Sequence, residues 1–452
     1  MPREYVKGET AAMAMVVKNN LSAKNTLNQL DKNNKAAAKD LKKLASGQKI
    51  NNAGDDASGL SISERMEVQV RSLDQDNQNA QNGSSLLKTA EGALQSTVDI
   101  LRTLKEKVIN AANDTNTDAD RATIQKELNQ SVDQIEENAS VTYNGKRMLD
   151  GSQNSTVLDP GTYTTYANES LLSGTSATKT RLTKLQERNG NSLGIQIGDT
   201  LTLTYVKNGE TSSNSITVKK NSTLSSVFAS WSMSDIMGVT ANPKDPSYIG
   251  VDQYGETVHT QDGGDAVVYR AKEVGLKGQI SGMTFQVTRS DGTVNKTASA
   301  KLDEFKEVVR AQDPSPDNSM NFQVGTRSNQ TVRMGFTDMR ATALGLRTTD
   351  GKTLNIGTQE NARTAINVLD NALQKALDEQ TKIGAVTSRL GYTSSNIVLS
   401  SENTQASMSV IRDADMAAEM TSYTKDNVLQ QAAQSMLAQA NQSSSGVLSL
   451  LQ

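Results

Sequence analysis

Cysteine is absent from the 452 residues, aromatic side chains make up only 4% of them, and tryptophan and histidine occur once each, as Trp231 and His259. Without cysteine there is no disulfide scaffold and no thiolate metal site, which suits a protein exported without an oxidative folding step. A lone histidine cannot build a His-Glu-x-x-His zinc motif. Within Thr257-Val258-His259-Thr260 it reads as a surface residue, so no enzymatic activity and no cofactor is expected. Asp262-Gly263-Gly264-Asp265 lacks the spacing and closing Glu of a calcium loop and reads as a tight acidic turn. The net charge of −3 leaves no basic field for nucleic acid. No apolar run reaches the roughly eighteen residues of a membrane span, so no membrane insertion is expected. Arg3 and Lys7 precede no apolar core of a signal peptide, and export by another route is expected. Residues 1–12 carry no periodicity, which makes Met13 and Met15 alternative starts.

What is present is helical periodicity at both ends. Hydrophobic residues are 35% of the chain, thin material for globular cores, and segments that bury too little apolar surface alone order by associating. From Thr358 as N-cap a seven-residue series runs through Leu369, Ala376, Ile383, Leu390, Ile397, Thr404 and Ile411, predicting one helix of about fifty residues. A companion row is apolar at Ile366 and Leu373, then polar through Gln380, Thr387, Ser394 and Ser401. Near the other end Leu27, Leu30, Asn34, Ala37, Leu41 and Leu44 alternate three and four apart, and Ser46-Gly47 supplies a stop. A second helix is predicted from an Asp56 cap to Ala112, and a third from Asp118 to 138, antiparallel to it.

Asn144-Gly145 marks a turn, and over residues 151–345 the helical period is lost. Alternation about Asn208-Gly209, from Ile195 to Tyr205 and then Ile216 and Val218, predicts a hairpin, and Met283, Phe285 and Val287 before Asp291-Gly292 predict another. Ser222–Trp231 reads as a short helix. The expected fold is mainly α with an inserted β-rich domain: an antiparallel bundle and coiled coil of N- and C-terminal segments, carrying a variable outer β domain. The expected division is an inner domain of residues 1–55 and 410–452, a bundle stem of 56–165 and 345–409, and an outer domain of 166–344.

Specific strings stand on these helices. They include Asn19-Asn20-Leu21-Ser22-Ala23, Leu44-Ala45-Ser46-Gly47, Ala53-Gly54-Asp55-Asp56-Ala57-Ser58-Gly59-Leu60 and Thr89-Ala90-Glu91-Gly92-Ala93-Leu94. At the other end are Ile411-Arg412-Asp413-Ala414-Asp415, Leu429-Gln430-Gln431-Ala432, Ala438-Gln439-Ala440-Asn441-Gln442 and Val447-Leu448-Ser449-Leu450-Leu451. In this order, at opposite ends of one chain, they resemble bacterial flagellin over roughly residues 13–150 and 335–452. The resemblance implies a helical homopolymer, the extracellular flagellar filament of swimming motility, built from terminal helices that order on assembly. It also implies passage through the flagellar type III export conduit, and as partners an export chaperone, a filament cap protein, hook–filament junction proteins and an innate immune receptor.

Val428, Leu429, Ala432, Met436 and Leu437 form one stripe beside small alanines. Together with Leu27, Leu30, Leu41, Leu44, Leu448 and Leu451 they make the expected subunit interface. Family members that activate the flagellin-sensing Toll-like receptor carry an Arg, then a Leu four residues on, and a Glu on the next helix. Here those positions read Thr103, Lys107 and Glu127, so weak activation is expected. A hook–filament junction protein is one alternative, and a secreted adhesin acting through its middle domain is another.

Overall fold

The computed structural model describes residues 20–171, 180–207, 209–230, 236–237, 247–260, 264 and 266–450. They fall into two compact units, one from Met1–Asp76 with Asn396–Gln452 and the other spanning Asn77–Ser395. The chain opens with α1 (Leu21–Ser46), α2 (Ala57–Ala111) and α3 (Asp118–Ala139), followed by the hairpin β1 (Thr142–Tyr143) and β2 (Lys146–Arg147). Next come β3 (Thr165–Asn168), β4 (Thr200–Lys207), β5 (Glu210–Thr217), α4 (Leu224–Ser230), β6 (Ile236–Met237), β7 (Tyr248–Val251), β8 (Thr257–His259) and β9 (Val267–Ala271). The middle block closes with β10 (Ile280–Thr288), α5 (Lys296–Leu302), β11 (Lys306–Val309), β12 (Met320–Gln323) and β13 (Thr331–Met334). Two long helices end the chain, α6 (Gln359–Arg412) and α7 (Met416–Leu450).

The helix boundaries follow from local chemistry. The side chain of Asn20 caps α1, and Gly47, at φ 71°, takes the left-handed conformation that closes it. Asp56 Oδ1 accepts from the amides of Ser58 and Gly59 at the start of α2. Thr117 and Asp120 form a reciprocal capping box on α3, and Thr358 Oγ1 accepts from Asn361 N on α6. Asn144 and Gly145 both have positive φ, as a two-residue hairpin turn requires. At the C-terminus of α2, buried Arg121 donates to the carbonyl of Ala111, the last helical residue, and to that of Asn113 just beyond it.

In the Asn77–Ser395 unit, Leu94, Leu101, Leu104 and Val108 of α2, Leu128, Val132 and Ile135 of α3, and Leu369, Ala376 and Ile383 of α6 form one buried core. The predicted heptad row of α6 is buried through Leu390 and Ile397. Three of its four polar companions are bonded: Gln380 donates to Gln95 at 2.7 Å, Ser394 to Asn77 at 2.6 Å and, in the other unit, Ser401 to Asp74 at 3.1 Å.

Two antiparallel sheets, ordered β10-β4-β5 and β11-β3-β9-β6, enclose a second core. Tyr269, Phe285 and Phe305 cluster there with ring centroids 4.6–6.1 Å apart. Strand β4 is buried on both faces. Leu201, Leu203 and Tyr205 enter this second core and Val206 enters the helical one. The predicted hairpin at Asn208-Gly209 is β4–β5, starting at Thr200 rather than Ile195, and Asn208 lies outside the described residues. The second predicted hairpin is corrected. After Asp291-Gly292 only Thr288 and Val294 pair, and the chain enters α5, while β10 pairs with distant β4. Asn295 caps α5, so the segment that would have been the return strand is helical. The predicted helix at 222–231 is α4; Trp231, residues 1–12, Asn19, and Asp262, Gly263 and Asp265 lie outside the described residues.

The sheet docks on α6 through a polar ladder. Asn367 donates to Met283 O at 2.9 Å, and Asn371 to Ser281 O at 2.8 Å and to the Tyr166 hydroxyl at 3.0 Å. Further along, buried Lys375 meets buried Glu307 at 3.5 Å. Burial pushes the Lys375 ammonium below its ordinary value, against the pull of Glu307.

Gly282 makes the docking possible, because a Cβ there would stand 2.7 Å from Val368 Cγ2 and 2.9 Å from Val368 N. Gly282→Ala is therefore expected to lower stability by about 1–3 kcal/mol. Gly92→Ala, on a helical surface with nothing within 4 Å, is expected to raise it by about 0.5–1 kcal/mol. Urea midpoints of the two variants check the opposite signs.

Candidate assembly surface

In the unit built from both ends of the chain, α1 and α7 lie antiparallel. Asn20 donates to Ala440 O at 3.1 Å, and Lys43 meets Glu419 at 2.8 Å. The facing rows alternate three and four apart: Ala23, Thr26, Leu30, Asn33, Ala37, Asp40 and Leu44 on α1, and Glu419, Tyr423, Asp426, Gln430, Ala433, Leu437 and Ala440 on α7. This is coiled-coil spacing filled with small and polar side chains. Among them only Asn33, Ala37 and Ala433 are fully buried. Desolvation raises the Asp40 carboxyl, with Glu419 and Asp426 adding repulsion that Lys43 partly offsets.

The expected interface residues divide between two faces. Leu30, Leu44 and Leu437 turn toward the α1–α7 seam, whereas Leu27 and Leu41 stay exposed at 48% and 52%. On α7, Val428 at 58%, Leu429 at 40% and Met436 at 62% face away from α1, with Ala432 exposed beside them. The stripe read from the sequence as one row is thus two. Its outward part belongs to an i, i+4 ridge of Met416, Met420, Thr424, Val428, Ala432 and Met436, all exposed. The inward row is hard to read from hydropathy because five of its seven positions are Glu, Asp, Gln or Ala and only Tyr423 and Leu437 are large. The side chain of Leu448 and all of Leu451 lie outside the described residues.

The strings near the two ends of the chain meet in a clasp. Lys49 N donates to Arg412 O at 2.8 Å and Ala414 N to Gly47 O at 2.9 Å, flanking a bridge between Gln48 and Asp413. Asp55 accepts from the amides of Asn51 and Asn52, and Asp415 caps α7 through the amides of Ala417 and Ala418. A Cβ at Gly59 would lie 2.4 Å from Asp56 Oδ2 and 2.7 Å from Ile50 Cδ1, so a side chain there would displace the Asp56 cap. The Arg412 guanidinium reaches Glu67 at 2.8 Å and Glu64 at 3.3 Å. Its hydrogen bond, with that of Arg71, holds the Glu67 carboxyl below the usual range.

Thr103 donates to Asp99 O, and Lys107 pairs with Glu127 at 3.2 Å, so two of the three receptor-equivalent positions occupy each other. Among the described residues no group of three or more His, Cys, Asp or Glu side chains could hold a metal, and no helix is long and apolar enough to cross a membrane.

The architecture is that of terminal helices joined by a clasp, with a β-rich block inserted between them in the sequence. Residues 17–154 match the bacterial flagellin N-terminal helical region and residues 366–451 the C-terminal helical region. A flagellin of Clostridium tyrobutyricum is 35% identical over 95% of this chain and 99% of its own length. One of Bacillus subtilis is 29% identical over 97% and 100%. The solved FliC of Burkholderia pseudomallei matches at 18% identity and a TM-score of 0.25, covering 68% of this chain and 99% of its own. The chain belongs to the bacterial flagellin family, the structural subunits of the flagellar filament.

Arg412→Ala removes the cation between Glu64 and Glu67, leaving Glu67 with Arg71 alone, and is expected to loosen the clasp. Exchange of the Lys49 and Ala414 amide hydrogens should speed up by about tenfold. Arg412→Lys, which can hold one carboxylate at a time, should fall between the two. Unchanged protection at both amides would assign the clasp to its backbone bonds alone.

Proposed function

We propose that copies of this chain polymerise through the outward faces of the terminal helices into the helical filament that drives swimming. The observation that carries this reading is the exposed row from Met416 to Met436, apolar except at Thr424, which winds round the part of α7 that α1 leaves uncovered. An i, i+4 ridge fits the groove of a neighbouring helix, and Leu27 and Leu41 give α1 a comparable outward surface. The seam inside one chain buries too little apolar area to hold two long helices alone, so α1 and α7 order fully only when neighbouring copies cover them. Leu30, Leu44 and Leu437 then close the seam within each subunit, and Leu448 and Leu451 extend the contact surface to the end of the chain.

The β-rich block faces outward, in the division of domains expected from the sequence. The subunit is extracellular, reaching its place through the flagellar export conduit with a chaperone, beneath a cap protein and beyond the hook–filament junction proteins. It is a weak activator of the flagellin-sensing receptor, a reading supported by the Lys107–Glu127 pair, which engages the carboxylate a receptor would have to reach.

Purified protein treated with ammonium sulfate should yield filaments by sedimentation and negative-stain microscopy. A variant lacking residues 416–452 should stay monomeric, and Val428→Asp should raise the critical concentration by about tenfold or more. Monomers from the full-length chain would overturn the proposal. In a receptor reporter assay, Thr103→Arg with Lys107→Leu should raise potency by about tenfold or more; full potency of the native chain would reject the weak-activator reading.

A further inference from the structure

The methionines are sorted by exposure. Met148, Met283, Met320, Met334 and Met339 are buried in the Asn77–Ser395 unit, and Met66 and Met408 are half-covered. Among the described side chains the exposed methionines are Met416 at 46%, Met420 at 50% and Met436 at 62%, all on α7 and all on its outward ridge. An unbranched thioether adapts to an irregular partner surface, which suits a ridge that must seat against a neighbouring helix. The same sulfur is oxidised wherever a peroxide can reach it.

We propose that this ridge is a site of reversible oxidation, at which a hydroperoxide converts free subunits into a form that cannot polymerise. The reading rests on the proposed assembly role of that face. In the step, a sulfur lone pair attacks the distal peroxide oxygen, the O–O bond breaks, and the sulfoxide S–O bond forms. With hydrogen peroxide the leaving hydroxide takes up the peroxide's remaining proton as water. Sulfur loses two electrons and the peroxide gains them. Three apolar side chains become strong hydrogen-bond acceptors on the helix surface that assembly must desolvate, and an acceptor buried there without a donor opposes packing. Once assembled, the ridge is covered by the neighbouring subunit and the sulfurs are shielded. Oxidation therefore discriminates between subunit and filament.

The test uses the full chain and hydrogen peroxide. Monomers and preformed filaments are oxidised in parallel, digested, and mapped by mass spectrometry, and the monomers are then challenged with ammonium sulfate. In monomers, sulfoxide should form at Met416, Met420 and Met436 about tenfold faster than at Met148, Met283 or Met334. The critical concentration should rise about tenfold, and treatment with a methionine sulfoxide reductase should restore it. In filaments the three sites should be protected. The triple variant Met416→Leu, Met420→Leu and Met436→Leu, which nearly conserves volume, should polymerise after peroxide treatment. Normal polymerisation of chains carrying all three sulfoxides would overturn the proposal, as would equal oxidation of exposed and buried sites. Failure of untreated chains to polymerise would instead remove the assembly reading, and the switch with it, leaving the site map as a separate result.

Discussion

The packing of α2 and α3 against α6 within the Asn77–Ser395 unit is the constraint on which the other parts depend. Leu94, Leu101, Leu104 and Val108 meet a row on α6 spaced by sevens, and this core is large enough to be stable within one chain. Because α6 is fixed there, its other faces become a template. One carries the Asn367 and Asn371 ladder that holds β10, and another carries the polar row that bonds Gln95 and Asn77. A polar row in the middle of a long seam sets register in a way that leucines cannot, since a slipped pairing leaves buried amides and hydroxyls unmatched. The single glycine at 282 then lets a strand lie against helix backbone, so the outer sheets are held by the stem as well as by their own core.

The terminal pair follows a different rule. Its heptad spacing is as regular as that of the stem, yet the positions are filled by Asn33, Ala37, Asp40, Gln430 and Ala433. Spacing fixes geometry and side-chain volume fixes strength. A seam of alanines and amides brings two helices close and aligns them without fixing them firmly. Three carboxyls, those of Asp40, Glu419 and Asp426, gather around Lys43, which pairs with Glu419 at 2.8 Å. The clasp at Gly47–Lys49 and Arg412–Ala414 supplies the missing definition at one end of the pair through backbone bonds, which are indifferent to the side chains of the seam.

Much of this was legible in the sequence where a signal is local. The Gly47 stop, the Asp56 and Thr358 caps and the Asn144-Gly145 turn each act within a few residues of themselves, and the structure places them as read. The row from Leu369 to Ile397 was legible because it repeats often enough to outweigh exceptions. The partner of β10 was not, because β4 lies some eighty residues away and no local feature of Met283–Val287 names it. The two faces of α7 were missed for a different reason. The large apolar residues of α7 mostly mark the side facing away from α1. The inward row carries the same spacing in residues that hydropathy does not flag.

Aromatic residues follow the same division of labour. The sheets, which must hold a core without long helices, contain Tyr166, Tyr205, Tyr269 and Phe285; the stem relies on leucine and alanine with Phe336; and the seam of the terminal pair holds Tyr423 alone. A Tyr or Phe buries far more area than an Ala, and both the stem and the sheets close large cores within one chain while the terminal seam does not. Apart from Tyr423 and Leu437, the large apolar residues of α7 with described side chains are exposed: Met416, Met420, Val428, Leu429 and Met436. Moving them to the seam would produce a firmly folded monomer with little left to offer a neighbour, and leaving them outside produces a pair of helices that needs one. The low aromatic content that first set this sequence apart is thus a matter of placement: burial is provided where the chain must fold alone and withheld where a second copy can supply it.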